Sequence, residues 1–206
     1  MNDIISALNW RFATKIFDKT KKVGEEDMNV LLEAIRLSAS SLGLQPYHVV
    51  VVTNPELREK LKSAAYGQPQ VTDASHLLVF CARTDVAARG EQMLQLISGG
   101  KPEELAKLGA LKGMIEGSTS GKSEADLTSW AGKQTYIALG NALTTLAMMK
   151  IDSCPMEGFD TVAFDALLEL PENIKSVALL PVGYRAAEPA HPKMRFPATD
   201  LFSTKE

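Results

Sequence analysis

The sequence predicts an α+β sandwich, a central sheet with helices on both of its faces. Three observations point to it. The runs 47–53, 76–82 and 175–184 are rich in apolar and β-branched residues and read as buried strands. Several other segments repeat apolar residues at helical spacing. The two kinds do not alternate strictly, which argues against the parallel sheet of a β-α-β chain. G-x-G-x-x-G after a strand, G-x-S-x-G and the full G-x-x-x-x-G-K-[ST] are all absent, so the usual marks of dinucleotide-binding, serine-hydrolase and NTP-binding folds are missing. With 206 residues, 45% of them hydrophobic, the chain fits one domain. A chain of this size buries roughly 70% of its unfolded surface and needs no disulfide or structural metal.

In chain order, "DIISALNW" reads as a short first helix. Met28, Leu31, Leu32, Ile35 and Ala39 give a second, from about Glu25 to Ser38, with Gly43 as its left-handed cap and Pro46 barring continuation. The first strand stops at Asn54, a capping residue, and Pro55 fits the first helical position of a helix reaching Ala65. Residues 85–129 form a variable helical excursion with glycine-rich turns. Ser123 with Asp126 starts a long helix to Met149. That helix is apolar on more than one face, and its small residues Ala138, Gly140 and Ala142 let backbones approach, so it suits the centre of the fold and a second subunit. Asp160 caps a helix ended by Pro171. Residues 187–206, with Pro189, Pro192 and Pro197, form an extended C-terminal arm.

A net charge of -3 argues against bulk nucleic-acid binding, and no run approaches the length of a membrane span. "MNDIISALNW" has an acid near its start and too short an apolar run for a secretion signal, so a cytoplasmic protein is expected. His48, His76 and His191 are scattered, and no metal site is expected. Cys81 and Cys154 sit in apolar contexts without ligand spacing and read as buried, reduced thiols.

Two cationic clusters flank the chain. Arg11 and Lys15 are four residues apart, and Lys193 and Arg195 alternate around Met194, so each pair can share one side. Each alone reads as a solvated surface. Together they offer the guanidinium and ammonium groups that hold a phosphate. "SASSLGLQPYH" is either a helix stop or a polar loop offering Ser40 and Ser41 to a ligand. Gln68 and Gln70 either mark a plain turn or present amides that both donate and accept. In "PMEGF" (155–159), Pro155 and Gly158 expose backbone just before a helix.

"RFATKIFD", "SASSLGLQPYHVVVV", "DASHLLVFCA", "PMEGFD", "LLPVGY" and "KMRFP", in this order, resemble the nitroreductase family of FMN-dependent NAD(P)H oxidoreductases, closest to its oxygen-insensitive nitroreductase and dihydropteridine reductase branch. The resemblance covers nearly the whole chain. It implies a homodimer with FMN at the subunit interface and a mixed, mainly antiparallel sheet. It also implies ping-pong transfer of hydride from NADH or NADPH through flavin N5 to a nitroaromatic, quinone or pterin. Dihydropteridine or flavin reduction, or flavin binding without catalysis, are the alternatives on the same fold; an interaction module whose cations only decorate the surface is another reading.

By the same resemblance, Arg11, Lys193 and Arg195 hold the FMN phosphate, and Lys15 sits by the ribityl chain and the N1–C2 edge of the flavin. Phe12 and Ala13 contribute backbone. Ala39, Ser40, Ser41 and Gly43 reach the flavin from the other subunit. Gln68 and Gln70 contact ribityl and ring, and Pro155 and Met156 lie against one ring face. A main-chain N–H of Glu157 or Gly158 donates to N5. Lys15, Leu42, Gln68, Met114 and Ile115 are the candidates for the nicotinamide and substrate side. Phe12, Ala13, Leu42 and Gly43 stand where the family often has polar side chains.

Overall fold

A computed structural model of the chain describes residues 3–205. The three predicted strands form: β1 (Tyr47–Val52), β2 (His76–Arg83) and, after the two-residue β3 (Asp152–Ser153), β4 (Ile174–Gly183). Their order is β1-β2-β4-β3, and each neighbouring pair is antiparallel. Val49 lies opposite Phe80, and Leu78 opposite Leu180. Among the described residues, the expected parallel component is confined to one isolated bridge, between Ala13 and Ser153 of β3. β3 is too short to carry a periodic signal.

Alternation along the strands sorts the core into two layers. Leu77, Val79, Cys81 and Leu179 point to one face of the sheet. There they meet Leu61 of α3 (Pro55–Ala64), Val71 of α4 (Gln70–Asp73) and Phe164 of α9 (Thr161–Leu167). Leu78, Phe80, Ala178 and Leu180 point to the other. There they meet Leu31 and Ile35 of α2 (Glu25–Arg36) and Ala138, Ala142 and Leu146 of α8 (Glu124–Met148). α1 (Asp3–Trp10) precedes both layers in the chain.

The predicted helix starts are built as the residue types require. Asn54 Oδ1 accepts from the Leu57 N–H at 2.9 Å with Pro55 at the first helical position, and Asp160 Oδ1 accepts from the Ala163 N–H at 3.0 Å. Ser123 and Asp126 close a reciprocal capping box on α8. The end of α2 differs from the expectation. The helix stops at Arg36, not Ser38, and Gly43 is not its cap. Side chains satisfy its last carbonyls instead: Asn141 Nδ2 donates to Ala34 O at 2.7 Å, the Tyr47 hydroxyl to Ile35 O at 3.1 Å and Gln45 Nε2 to Arg36 O at 2.6 Å. Gly43, at φ +68°, closes a separate one-turn 3-10 segment, Ser41–Gly43.

The excursion comprises α5 (Val86–Ser98), α6 (Pro102–Leu105) and α7 (Gly109–Thr119), around a small core of Leu44, Val86, Leu94 and Ile115. A Cβ at Gly90 would lie 2.4 Å from Ile115 Cγ2, so α5 and α7 meet at that glycine. The arm ends in α10 (Ala198–Leu201) and leaves Met194, Phe196, Leu201 and Phe202 exposed. Among the described residues, no helix is long and apolar enough to cross a membrane.

Phe164 is fully buried, whereas Asn54 acts only through its cap. Phe164→Ala should therefore cost about 3–5 kcal/mol of unfolding free energy, and Asn54→Ala about 1 kcal/mol. Urea denaturation of the two variants measures the difference.

Candidate functional site

Past α1 the chain is pinned along the β3 side of the sheet. The Thr14 N–H donates to Ser153 O at 3.2 Å, the Asp18 N–H to Tyr184 O at 2.8 Å and the Ala186 N–H to Ile16 O at 2.9 Å. Residues 11–18 therefore run between β3 and the stretch that leaves β4. That stretch leads into the C-terminal arm, so the two cationic clusters meet within one chain. They line a cleft of about 530 Å³ that includes Arg11, Phe12, Ala13, Lys15, Lys193 and Arg195. Met194, between the last two, is not in the lining and is exposed, as alternation along an extended segment requires.

A largely buried ion pair lies behind the Trp10 and Phe12 rings that line the cleft. Asp152 Oδ1 accepts from Arg185 Nε at 2.8 Å, and its Oδ2 from the Arg185 main-chain N–H at 2.9 Å. The same guanidinium lies 4.2 Å from the centre of the Trp10 ring and 4.3 Å from that of Phe12. The Thr14 hydroxyl adds a bond to Asp152 at 3.3 Å. The Phe12 ring is thus committed to Arg185, which leaves its main chain to face a ligand.

The cleft is strongly cationic. Burial lowers the Arg11 pKa from its ordinary value, and the nearby charge of Arg195 lowers it further. Burial also lowers that of Lys193, followed by repulsion from Arg11 and Arg195. Glu188, an acid in the lining, pairs with Arg185 at 3.1 Å. Arg11 Nη1 is buried and has no hydrogen-bond partner. A buried donor without an acceptor is costly, and an oxyanion would supply both the acceptor and the opposing charge. Lys193 donates to the Leu8 carbonyl in the last turn of α1, where a cation is favoured by the helix dipole and the arm is tied to the helix. Deeper in, Lys15 Nζ lies 3.8 Å from Cys154 Sγ, and the buried amide of Gln70 lies beside the same thiol.

The turn at 155–158 presents backbone. Met156 pairs both ways with Leu179, each bond 2.9 Å, so its main-chain groups are already paired, and its side chain is buried in the first core layer and withheld from a ligand, contrary to expectation. Glu157 Oε1 accepts from the Tyr136 hydroxyl of α8 at 2.6 Å. Gln68 Nε2 donates to Gly158 O at 2.7 Å and to Ala65 O at 3.1 Å. That amide nitrogen is spent on the turn, which leaves the Gln68 oxygen for a ligand. Among the described residues, the main-chain N–H groups of Glu157 and Gly158 have no acceptor. A Cβ at Gly158 would meet only Gln68 Nε2, at 3.6 Å, so the protein's own packing does not demand glycine there.

The profile of the nitroreductase family matches residues 8–184. A Staphylococcus epidermidis protein, provisionally named an NAD(P)H nitroreductase, is 43% identical over 213 aligned residues, covering 97% of this chain and 96% of that one. The chain belongs to the nitroreductase family. Solved structures share its fold. A Bacillus subtilis protein described as a nitroreductase superposes with a TM-score of 0.85 at 21% identity, covering 98% of this chain and 99% of its own. One from Exiguobacterium sibiricum, described as a nitroreductase in complex with FMN, superposes with a TM-score of 0.84 at 19% identity, covering 100% and 98%.

In this nitroreductase-family chain the other candidates do not line the cleft: Gln68, Gln70, Pro155, Met156, Glu157 and Gly158 lie outside its lining, and so do the rest. Ala39, Ser40, Ser41, Leu42 and Gly43 are not in its lining. Their loop is held against α8 by the Ser41 N–H, which donates to Gln134 Oε1 at 2.8 Å, and Ser40 Oγ accepts from the Gln45 N–H at 2.8 Å. Ile115 is 4% exposed inside the core of the excursion, so its side chain packs helices together; Met114 beside it is 55% exposed. Sequence reasoning missed Asp152, Arg185 and Tyr136. Their positions, at the end of a helix connection, just after a strand and within a long helix, carry no spacing that marks them. Only the fold brings them to the site.

Burial pushes the Cys81 thiol from 9.0 up to about 12, with Asp165 adding to it. Burial raises Cys154 as well, against the opposing effects of Lys15, Gln70 and Arg11. Each thiol ionises more readily in the unfolded chain than in the folded one. The stability gained by burying it protonated is thus complete below about pH 9 and declines as pH rises from there toward the folded value. Iodoacetamide at about pH 8 should label neither cysteine in the folded nitroreductase-family protein and both in urea. Mass spectrometry of the two samples checks this.

Proposed function

We propose that this chain is an FMN-dependent NAD(P)H oxidoreductase that reduces electron-poor acceptors such as nitroaromatics and quinones. The observation that carries the reading is the buried, acceptor-less Nη1 of Arg11, in a cleft shared with Lys193 and Arg195. A phosphate dianion answers all three cations at once. Membership of the nitroreductase family supports the reading. So do NAD(P)H in the name of the S. epidermidis relative and FMN in the E. sibiricum structure.

In this reading each group has a role toward FMN. Arg11, Lys193 and Arg195 hold the phosphate. The free N–H groups of Glu157 and Gly158 provide donors for the flavin N5, and the Gln68 oxygen and Gln70 amide serve the ribityl chain and ring. Bound FMN supplies the atom that accepts hydride from the reduced nicotinamide and passes it on. Lys15 places a positive charge by the ring edge where reduction builds negative charge, which raises the reduction potential. The two substrates take turns in one cleft, so the kinetics are ping-pong. Holding them in near-attack geometry is the main source of rate.

A homodimer belongs to the same reading. Ile5 and Leu8 of α1, Ile137 and Met148 of α8, and Met194, Phe196, Leu201 and Phe202 of the arm are all exposed. A second copy covers them, and its 39–43 loop completes the cofactor site that this chain's own loop does not reach. The reduced thiols suit a cytoplasmic setting.

The purified protein should be yellow, should quench FMN fluorescence on titration after flavin removal, and should bleach with NADH or NADPH without oxygen. Arg195→Ala should weaken FMN binding by about 1.5–3 kcal/mol. Colourless protein that quenches nothing rejects the proposal, and flavin that binds but never bleaches leaves a binding protein. Sedimentation at micromolar concentration should show a dimer with an interface upwards of ~2,000 Å²; monomer alone rejects the shared site.

A further inference from the structure

We infer that Tyr136 is a positioning residue for the turn at 155–158: its hydroxyl holds the Glu157 carboxylate and so aims the main-chain N–H groups of Glu157 and Gly158 out of the fold toward the ligand. The inference rests on the FMN reading for the identity of that ligand, while the clamp is a property of the chain itself.

The turn is firmly held only at its two ends. Met156 is bonded both ways to Leu179 of β4. Phe159 is buried with its ring 4.7 Å from that of Phe164, and the Asp160 N–H donates to Ala64 O at 2.9 Å. Between these ends, residues 157 and 158 have one main-chain bond, from the Phe159 N–H to Glu157 O at 2.9 Å. Two side chains supply the rest. Gln68 grips the Gly158 carbonyl from one side, and Tyr136 grips the Glu157 carboxylate from the other. Tyr136 projects from a firmly packed element, because α8 packs on the sheet along Ala138, Ala142 and Leu146, while the tyrosine itself is 41% exposed. Its hydroxyl also lies 3.4 Å from Val177 O on β4, so helix and sheet both define its place.

The chemistry of the pair suits a clamp. A 2.6 Å O–H···O⁻ contact is charge-assisted and about twice as strong as a neutral hydrogen bond. Burial first, and then the carboxylate, hold the phenol far above its ordinary range, so it remains a donor throughout physiological pH. With its carboxylate committed to Tyr136, Glu157 serves the turn through its side chain and the ligand through its main chain. Donor placement matters because a shift of about 1 Å in a reacting geometry can cost on the order of a hundredfold in rate.

The test compares full-length wild type with Tyr136→Phe, Glu157→Ala, Glu157→Gln and the double variant Tyr136→Phe/Glu157→Ala. In FMN-free protein, the ¹H–¹⁵N amide resonances of Glu157 and Gly158 should shift and broaden in Tyr136→Phe. With ¹⁵N-enriched FMN bound, its N5 resonance should move toward that of N5 lacking a hydrogen bond, while the ³¹P resonance of its phosphate stays in place. Glu157→Gln keeps an oxygen acceptor for the phenol and should preserve the wild-type N5 signal and most of the bleaching rate. Glu157→Ala should reproduce Tyr136→Phe, with bleaching slowed about tenfold, and the double variant should add little to either. An N5 signal unmoved in Tyr136→Phe, unchanged apo amides, or a Glu157→Gln variant as impaired as Glu157→Ala would overturn the inference. Wild-type protein that binds no FMN would reject the cofactor reading alone, and the apo amides would still decide the clamp.

Discussion

The carboxylate of Asp152 is almost wholly buried, and the arrangement of both chain termini depends on how its charge is answered. Arg185 answers it from the end of β4, with both side chain and main chain. In doing so its guanidinium lies against Trp10 and Phe12, which hold the chain leaving α1. One ion pair thus joins three segments distant in sequence: the exit of α1, the short β3 and the start of the arm. Removing one partner of such a buried pair typically costs about 3–5 kcal/mol, because the other is left uncompensated. Here the consequence is also local, since Arg11 and the arm cations share a cleft only while those segments stay together.

The site divides its work between two kinds of donor. The cleft uses charged side chains, which repel one another. The turn uses main-chain N–H groups whose direction is set by their neighbours. Charges give affinity over a range of positions, whereas a fixed N–H gives direction. That contrast explains why the turn is braced by Gln68 and Tyr136 while the arm is long and exposed. The unanswered Nη1 of Arg11 and the open N–H pair at 157–158 are, with Arg89 Nε and Ser153 Oγ, among the polar groups of the described residues that the fold leaves without a partner.

Local chemistry made much of the architecture legible. The Val and Leu runs became β1, β2 and β4, and the caps at Asn54, Ser123 and Asp160 start helices as written, because each depends on residues within a few positions of one another. The end of α2 was misjudged because its carbonyls are satisfied by Asn141, Tyr47 and Gln45, and partners from 9 to 107 positions away leave no local mark. Ile115 offered only bulk in the sequence, and its burial against Gly90 is a matter of how α5 and α7 pack.

By itself, the sequence determined the strands, the principal helices, the cationic character of both ends and the exposed backbone of "PMEGF", since each follows from the period or chemistry of a short segment. Only the tertiary structure decided that the two ends meet, that Asp152 and Arg185 hold them there, and that Tyr136 and Gln68 grip the turn from opposite sides. Those contacts join residues between 21 and 185 positions apart. At such separations no propensity or spacing selects a partner, and the packing of the sheet with its two helical layers makes the choice.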